Sequence, residues 1–569
     1  MILRALYDYY QRCSDLPAFG MELKQIGFLI VITKEGRFVR FEDRRIDKNK
    51  AQLFLVKKSV GRSSAPVANY LYDNSQYVFG YSDKGDMESM RKYFDTFKAK
   101  VQDIYDAAPA DEDMKAVHAF YQQEPCDIVE GMQKDSLWSD IVKSLNKKYS
   151  IFSFLIEGQT DIVASKKSIT GLLEKEEGNG TSVCLVTGNW AANVETTTAT
   201  MIPGSQATAK LVSFQVKSGY DSYGKEKGNN APISDEAEFA YTTALNHMLR
   251  ADSHNKFSIG TRTFLFWASS DSEAAQASEN SLFALFGKSD DDDPNRRIEL
   301  VKQTFMSIYN GKLESKKDDR FYILGLSPNS ARIAVVYWAE LQLCEFAHTI
   351  SRHFEDMEIV DTRKEQRPYT GLHAILGAVT LGGKSSDATP NLPDAVVKSI
   401  FQGLPYPASL YQSSIRRIRA EQSISITRVA IVKAYLNRLN DNNTKIQVML
   451  DKENTNQGYL CGRLFAVLDK IQEDANNIHS IRERYMNSAS STPAAVFATI
   501  LNLSLHHLEK LKEGTQIYYE KQKQEIFAKL DADGFPTHLD LQDQGRFFVG
   551  YYHQRQDFFT SKENKDTEE

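Results

Sequence analysis

The sequence predicts an α+β protein, with an N-terminal mixed α/β domain followed by a C-terminal helical bundle. Three observations predict it. Short apolar runs flanked by turn residues, at 26–33, 53–56, 152–156, 257–267 and 321–338, have strand length and alternate irregularly with helical stretches. From residue 346 the chain becomes mainly helical. Residues 449–559 then repeat apolar positions at helical spacing.

Leu3, Leu6, Tyr7 and Tyr10 mark a short first helix. Residues 26–33, Glu35-Gly36 and 38–41 read as a β-hairpin, and 53–56 as a further strand. Lys57-Lys58-Ser59-Val60-Gly61-Arg62-Ser63-Ser64 is a basic loop, followed by Asn69-Tyr70-Leu71-Tyr72-Asp73-Asn74-Ser75-Gln76-Tyr77-Val78-Phe79-Gly80. The Asn and Asp residues of that run suit the capping of turns. Alternatively, its amides and tyrosines, beside a Lys/Arg loop, face a nucleic acid. Residues 87–106 form an amphipathic helix, 152–156 a strand and 174–180 a polar loop.

Strands are expected at 182–187 and 210–214. The second runs into a glycine-rich loop, Gly219 to Pro232, which combines Lys225 and Lys227 with Tyr220 and Tyr223. Long ordered loops of this kind tend to carry function, the alternative being a plain surface loop. Ser234 caps a helix through Leu249, with Glu236 and Glu238 in its first turns. Asp290-Asp291-Asp292-Asp293 invites a metal, but nothing holds those carboxylates in a coordination geometry, and a solvated loop is the better reading. A helix over 296–309 and two strands joined by a Pro-Asn turn, 321–329 and 331–338, complete an N-terminal α+β domain over 1–345.

Residues 346–448 are a basic helical connecting region, with Arg416, Arg417, Arg419, Arg428, Lys433 and Arg438 on polar faces. A solvated helix and a phosphate-binding one both fit. In the bundle over 449–569, Leu460, Leu464, Leu468 and Ile471 share one face. Thr492-Pro493 starts a helix with Val496, Phe497, Ile500, Leu501, Leu505 and Leu508 as its stripe, and Gly514 is expected to end it. A more polar helix over 517–530 and a last one carrying Leu541, Phe547, Phe548, Tyr551, Tyr552, Phe558 and Phe559 follow. About four helices with short connections favour an antiparallel bundle.

The totals bound the function. A chain of 569 residues holds two or three domains. Five scattered cysteines, none in a CxxC pair, argue for reduced thiols in a cytoplasm and against a zinc site. No apolar run approaches the roughly 18 residues needed to span a bilayer, and no signal peptide opens the chain. A net charge of −6 excludes a globally basic nucleic-acid coat, so contacts must come from local patches. Gly382-Gly383-Lys384-Ser385 lacks the upstream glycine of a P-loop, since Ala378 stands there. No HExxH or GxSxG is present, and His506-His507 are adjacent rather than on one helical face. Binding without catalysis, metal or cofactor is the expectation.

Four separated regions carry a resemblance. They are the run from Asn69 to Gly80; Ser222-Tyr223-Gly224-Lys225 with Asn230-Ala231-Pro232; the strand pair over 321–338; and, in the bundle, Gly462-Arg463-Leu464-Phe465-Ala466-Val467-Leu468 with Gly550-Tyr551-Tyr552-His553-Gln554-Arg555-Gln556. In this order they resemble the large subunit of the type I-C CRISPR Cascade complex, over almost the whole chain. The resemblance implies a prokaryotic, cytoplasmic subunit of a crRNA-guided complex, with crRNA and other Cascade subunits as partners. It would recognise the protospacer-adjacent motif in double-stranded target DNA, start duplex opening and help recruit a helicase-nuclease, while base pairing reads the target. Asn69, Asn74, Tyr223, Lys225 and Asn230 are the expected DNA contacts. Arg416, Arg417, Arg419 and Arg428 are the expected contacts to a nucleic-acid backbone. The family also implies a small subunit translated from an internal start, for which Met449 is better placed than Met486. The rivals are a nuclease using Asp290 to Asp293, and a structural scaffold that touches protein alone.

Overall fold

The computed structural model describes residues 2–60, 65–83, 87–171, 182–200, 202–216, 219, 223–286, 294–363, 371–439 and 445–566. The chain forms two compact units. The smaller comprises Tyr10–Thr198 and Phe214–Ala244; the larger comprises Met1–Tyr9, Ala199–Ser213 and Leu245–Glu569. The α+β class holds, with strands throughout the N-terminal part and helices alone towards the C-terminus.

After the first helix, α1 (Ile2–Arg12), the smaller unit is built on strands β1 (Met21–Gln25), β2 (Phe28–Ile32), β3 (Phe38–Asp43), β4 (Leu53–Lys57), β5 (Tyr72–Asp73) and β6 (Phe152–Ile156). Four form a sheet in the order β3-β2-β6-β5, in which β2 and β6 are parallel. Both central strands, Phe-Leu-Ile-Val-Ile and Phe-Ser-Phe-Leu-Ile, are buried along their whole length, as continuous apolar runs covered on both faces should be. Ser153 is the polar exception, and its Oγ donates to the Leu71 carbonyl at 2.9 Å. A parallel pair needs a long crossover. Helices α2 (Ser75–Val78), α3 (Met87–Ala107), α4 (Glu112–Phe120), α5 (Pro125–Gln133) and α6 (Trp138–Ser144) lie between β2 and β6 in the chain, before the short α7 (Lys167–Thr170).

The predicted hairpin is β2–β3, and the strand expected at 53–56 is β4. Its partner β1, Met-Glu-Leu-Lys-Gln, escapes sequence reading because it is mostly polar; β1 and β4 pair as an antiparallel ribbon. The strand expected at 182–187 shortens to β7 (Ser182–Val183), paired with β8 (Trp190–Ala191). Helix α8 (Asp235–Met248) then leads into the larger unit.

There, β9 (Lys256–Ile259), β10 (Arg262–Ala268), β11 (Arg320–Asn329) and β12 (Arg332–Gln342) form an antiparallel sheet in the order β12-β11-β10-β9. The strand expected at 210–214 is not formed; Lys210 makes an isolated bridge to Arg332. Phe264, Phe266, Phe321 and Ile323 share a core with apolar side chains of α9 (Glu273–Phe286), α10 (Pro294–Tyr309), α11 (Leu343–Met357), α12 (Leu372–Ala378) and α13 (Leu392–Gln402).

A second core unites α14 (Ala408–Glu421) and α15 (Ile426–Leu439) with α16 (Gln457–Asn476), α17 (Ser480–Ala489), α18 (Pro493–Leu508), α19 (Glu513–Phe527) and α20 (Leu541–Asp566). Five helices therefore follow Met449 among the described residues, one more than predicted. The extra one, α17, buries little apolar surface beyond Ile481, Met486 and Ala489, so its period is faint in the sequence. Gly514 does not end α18. It is the second residue of α19, and a Cβ there would meet open space.

Helices α16 and α20 run in the same direction: Asn456 faces Asp543, Arg463 faces Gln554, and Glu473 faces Arg555. They meet backbone to backbone. A Cβ on Gly462 would run into the Phe547 carbonyl, and one on Gly550 into the Tyr459 carbonyl. The glycines in the two C-terminal runs of the resemblance are thus packing glycines. Polar groups trapped beside this contact pair internally. Arg463, fully buried, donates from Nε to Gln554 Oε1 at 3.0 Å and from Nη2 to Glu525 Oε1 at 2.8 Å. The Tyr551 hydroxyl donates to Asp469 at 2.7 Å. Burial, assisted by Lys433, pushes the His553 imidazole down to about 3, so it stays neutral 3.0 Å from the Tyr459 hydroxyl.

Gly462→Ala should destabilise the larger unit by about 1–3 kcal/mol, because the overlap is with backbone that cannot swing away. Gly514→Ala should be neutral or stabilise by up to about 1 kcal/mol. Urea unfolding of the two variants separates a packing glycine from an incidental one.

Candidate nucleic-acid interface

The basic loop after β4 is held from below by polar side chains. Glu22 Oε1 accepts from the Ser59 amide at 3.1 Å and also from its hydroxyl. Lys24 Nζ reaches Ser59 Oγ at 2.7 Å. The Tyr72 hydroxyl donates to the Lys57 carbonyl at 2.6 Å, and burial beside Glu22 pushes its pKa well up, so it remains a donor. Asn69 Oδ1 accepts from the Val60 amide at 2.9 Å. Asp73, buried, accepts from the Asn69 and Asn74 amides at 3.0 and 2.9 Å. Asn74 Oδ1 caps α2 by accepting from the Gln76 and Tyr77 amides. At the centre of this run Leu71 is buried at φ +64°, a left-handed conformation that costs a branched residue roughly 1–3 kcal/mol and persists because its neighbours fix it.

The second signature lies on a hairpin and its supporting loop. Strands β7 and β8 close through Cys184 N to Asn189 O and Gly188 N to Cys184 O, both 2.9 Å. The ribbon is tied to the segment before α8 by Leu185 N to Pro232 O at 2.9 Å and Val194 N to Ile233 O at 3.0 Å. Cys184 is buried under the start of α8. Burial alone would raise its thiol, but hydrogen bonds from Ser234 and Thr187 outweigh it and bring it down to about 7. The loop itself is stitched by Gly228 N to Glu195 O at 3.0 Å and by Lys227 Nζ to Glu195 at 2.6 Å. Asn230 Nδ2 donates to the Lys225 and Lys227 carbonyls, both at 3.1 Å. Tyr223 and Lys227 take positive φ, +53° and +48°, which turns Tyr223 fully into solvent. Lys225 is also exposed, with no ion-pair partner among the described residues.

Lys58 ties the basic loop to α8 in the smaller unit. Its ammonium donates to Thr198 Oγ1 at 2.9 Å and lies 3.5 Å from Glu238 Oε2, above the Phe239 ring. Glu238, in the first turn of α8, is 2% exposed, and its other oxygen accepts from the Thr198 amide. The basic loop, the end of the ribbon segment and the start of α8 thus share one charge pair.

Of the five expected DNA contacts, the structure exposes Tyr223 and Lys225. Asn69 is 7% exposed, and Asn69, Asn74 and Asn230 use their side-chain amides to shape backbone. On α14, Arg416 is exposed, Arg417 pairs with Glu421, and Arg419 reaches Gln544 at 3.3 Å. The placement of Arg428, Lys433 and Arg438 on polar faces is corrected, because all three are buried. Arg428 Nε donates to the Ala378 carbonyl at 2.9 Å, and its guanidinium pairs with Glu421 at 2.5 Å. Lys433 Nζ donates to two carbonyls at the end of α11. Arg438 pairs with Asp356 at 2.6 Å. Alternating long charged and apolar residues gave no hint that a second layer of helices would cover this face.

Sequence reading named Lys58 and Glu238 but not their link, and it missed Trp190. Trp190 follows a Gly188-Asn189 turn signal, which could have marked a hairpin with a tryptophan on its second strand. Asp290 to Asp293, Glu174 to Gly180, Tyr220 to Ser222, Gly61 to Ser64 and Asn440 to Thr444 lie outside the described residues. Among the described residues, no group of three His, Cys, Asp or Glu side chains is placed to hold a metal ion, and no helix is long and apolar enough to cross a membrane.

A family model matches residues 6–559, and the family it describes is one of CRISPR-associated proteins. The chain belongs to that family, Cas_Csd1, the large subunit of the type I-C Cascade. No curated protein matches the chain.

Removing the charge that holds Lys58 should loosen the basic loop. Glu238→Gln is expected to cost about 1–3 kcal/mol of stability in the smaller unit, since a buried acceptor loses its cation. It should also speed tryptic cleavage after Lys57 and Lys58. Limited proteolysis read by intact mass checks both sites; an unchanged cleavage rate would contradict the link.

Proposed function

We propose that the protein reads the protospacer-adjacent motif in double-stranded DNA for a crRNA-guided complex, helps open the duplex and helps recruit a helicase-nuclease, with no catalysis of its own. Family membership supports the CRISPR context. The observation that supports the motif-reading part is the Lys58–Glu238 link, which ties the basic loop, itself held by Asn69 and Tyr72, to the first turn of α8 within the smaller unit. Lys225 and Tyr223 are the side chains free to meet DNA. Asn69, Asn74 and Asn230 hold the loops that present them. In the larger unit, Arg416, with Arg417 and Arg419 beside it, is the proposed contact to a nucleic-acid backbone, while Arg428 serves the fold.

The proposed partners include crRNA, the other Cascade subunits and a small subunit started at Met449. That methionine is 63% exposed and precedes α16. A chain that begins there lacks α14 and α15, which contribute Tyr411, Ile415, Ile418, Val429, Val432 and Leu436 to the shared core. The free fragment therefore needs a partner to cover that face. Expression of the whole gene should give a second product of residues 449–569 by intact mass, lost in Met449→Leu.

The test of motif reading is binding of the assembled complex to targets with randomised flanking sequence, across a salt series. Lys225→Ala should weaken all sequences about equally and lower the salt slope by roughly one. Loss of preference without change of slope would instead make Lys225 a base reader. No change at either level would remove the loop from the interface.

A further inference from the structure

We propose that Trp190 is a stacking platform for an unpaired base of the opened target DNA. The proposal rests on the motif-reading function above and adds a residue to that surface. Register pairs Val183 with Trp190 across the ribbon, and both are exposed, Val183 at 42% and Trp190 at 72%. Leu185, two residues on from Val183, is 54% exposed, while Cys184 between them is buried. One face of the ribbon is therefore anchored and the other is apolar and open. The other three tryptophans are packed: Trp138 against Phe41, Phe79 and Tyr81, and Trp267 against Tyr322 and Trp338. No ring lies against Trp190 among the described residues.

Trp190 and Tyr223 are the two most exposed aromatic side chains described, and the same hydrogen-bonded module carries both. Asn193 Nδ2, just beyond β8, donates to Asn229 Oδ1 at 3.3 Å, across from ribbon to loop. The same module thus presents two exposed aromatic rings. Its charges divide the work. Lys227 is taken up by Glu195, with Glu226 also acting on it. Lys225 remains as a cation two residues from Tyr223. An exposed flat ring on a module that also carries an unpaired cation suits a nucleotide, the ring for a base and the cation for a phosphate. A stable protein contact is of a different size, about 800 Å² per partner, whereas the ribbon offers three apolar side chains on strands of two residues.

The experiment uses the assembled complex and target duplexes carrying 2-aminopurine singly at each flanking and first target position. With the native chain, fluorescence should be quenched at one position beside the motif. Trp190→Ala should restore that fluorescence and weaken target binding about tenfold with the salt slope unchanged. Trp190→Phe should retain most of both signals. Unfolding midpoints of the variants should match the native chain, since the side chain is exposed. If Trp190→Ala leaves quenching and affinity untouched while Lys225→Ala still weakens binding, the stacking proposal falls and the motif-reading function stands. If neither substitution has an effect, both fall. If Trp190→Ala keeps the chain out of the complex, the ribbon is a protein contact and the proposal is overturned.

Discussion

Direct backbone contact between α16 and α20 is the constraint on which the larger unit depends. Gly462 and Gly550 leave no room for side chains between the two helices. Such an approach excludes water, so polar groups that flank it must find partners in the protein. Arg463 therefore engages Gln554 and Glu525, and Asp469 accepts from Tyr551. The Arg463–Gln554 and Tyr551–Asp469 pairs join the first and last helices of the bundle in sequence, and a shift of one helix along the other would strand both. Tyr411 extends the same constraint to α14, because its hydroxyl donates to the Leu541 carbonyl at 2.6 Å and closes over Gly545.

In the smaller unit the corresponding role falls to three acids, of which Asp73 and Glu238 are buried. Glu22 and Glu238 gather amides or cations from segments distant in sequence, and Asp73 gathers the amides of its own turn. Asp73 fixes the turn that holds Leu71 in a left-handed conformation. Glu238 holds Lys58 and the Thr198 amide. Polar residues that look like a recognition surface in one dimension here shape the backbone of their own loops. Tyr223, Lys225 and Trp190 stay exposed.

This division also explains how the arginines of α14 and α15 differ. Arg416 sits on the open side of α14. Arg428 and Arg438 turn towards carbonyls of neighbouring segments and an acid, which a guanidinium with five donors can satisfy together. Lys433 does the same with two carbonyls. A basic helix in a sequence is therefore a poor guide to a basic surface where another helical layer covers it.

What the sequence determined by itself was local. Apolar runs of strand length located β2, β4, β6 and the long hairpin β11–β12; β2 and β6 are apolar throughout because both their faces are covered. Helical periodicity located α18 and α19, which bury one stripe each, and longer apolar stretches located α16 and α20, which are buried on more than one face. The resemblance was legible too, in runs now seen to hold the packing glycines and the loop frames. The tertiary structure alone decided the rest. It paired polar β1 with β4, made α16 and α20 parallel, buried Arg428, and committed Asn69, Asn74 and Asn230 to backbone. It brought Lys58 to Glu238 across 180 residues of chain. Periodicity reports which face of an element is apolar, whereas the partner of a polar side chain is set by what folds against it, and that information lies elsewhere in the chain.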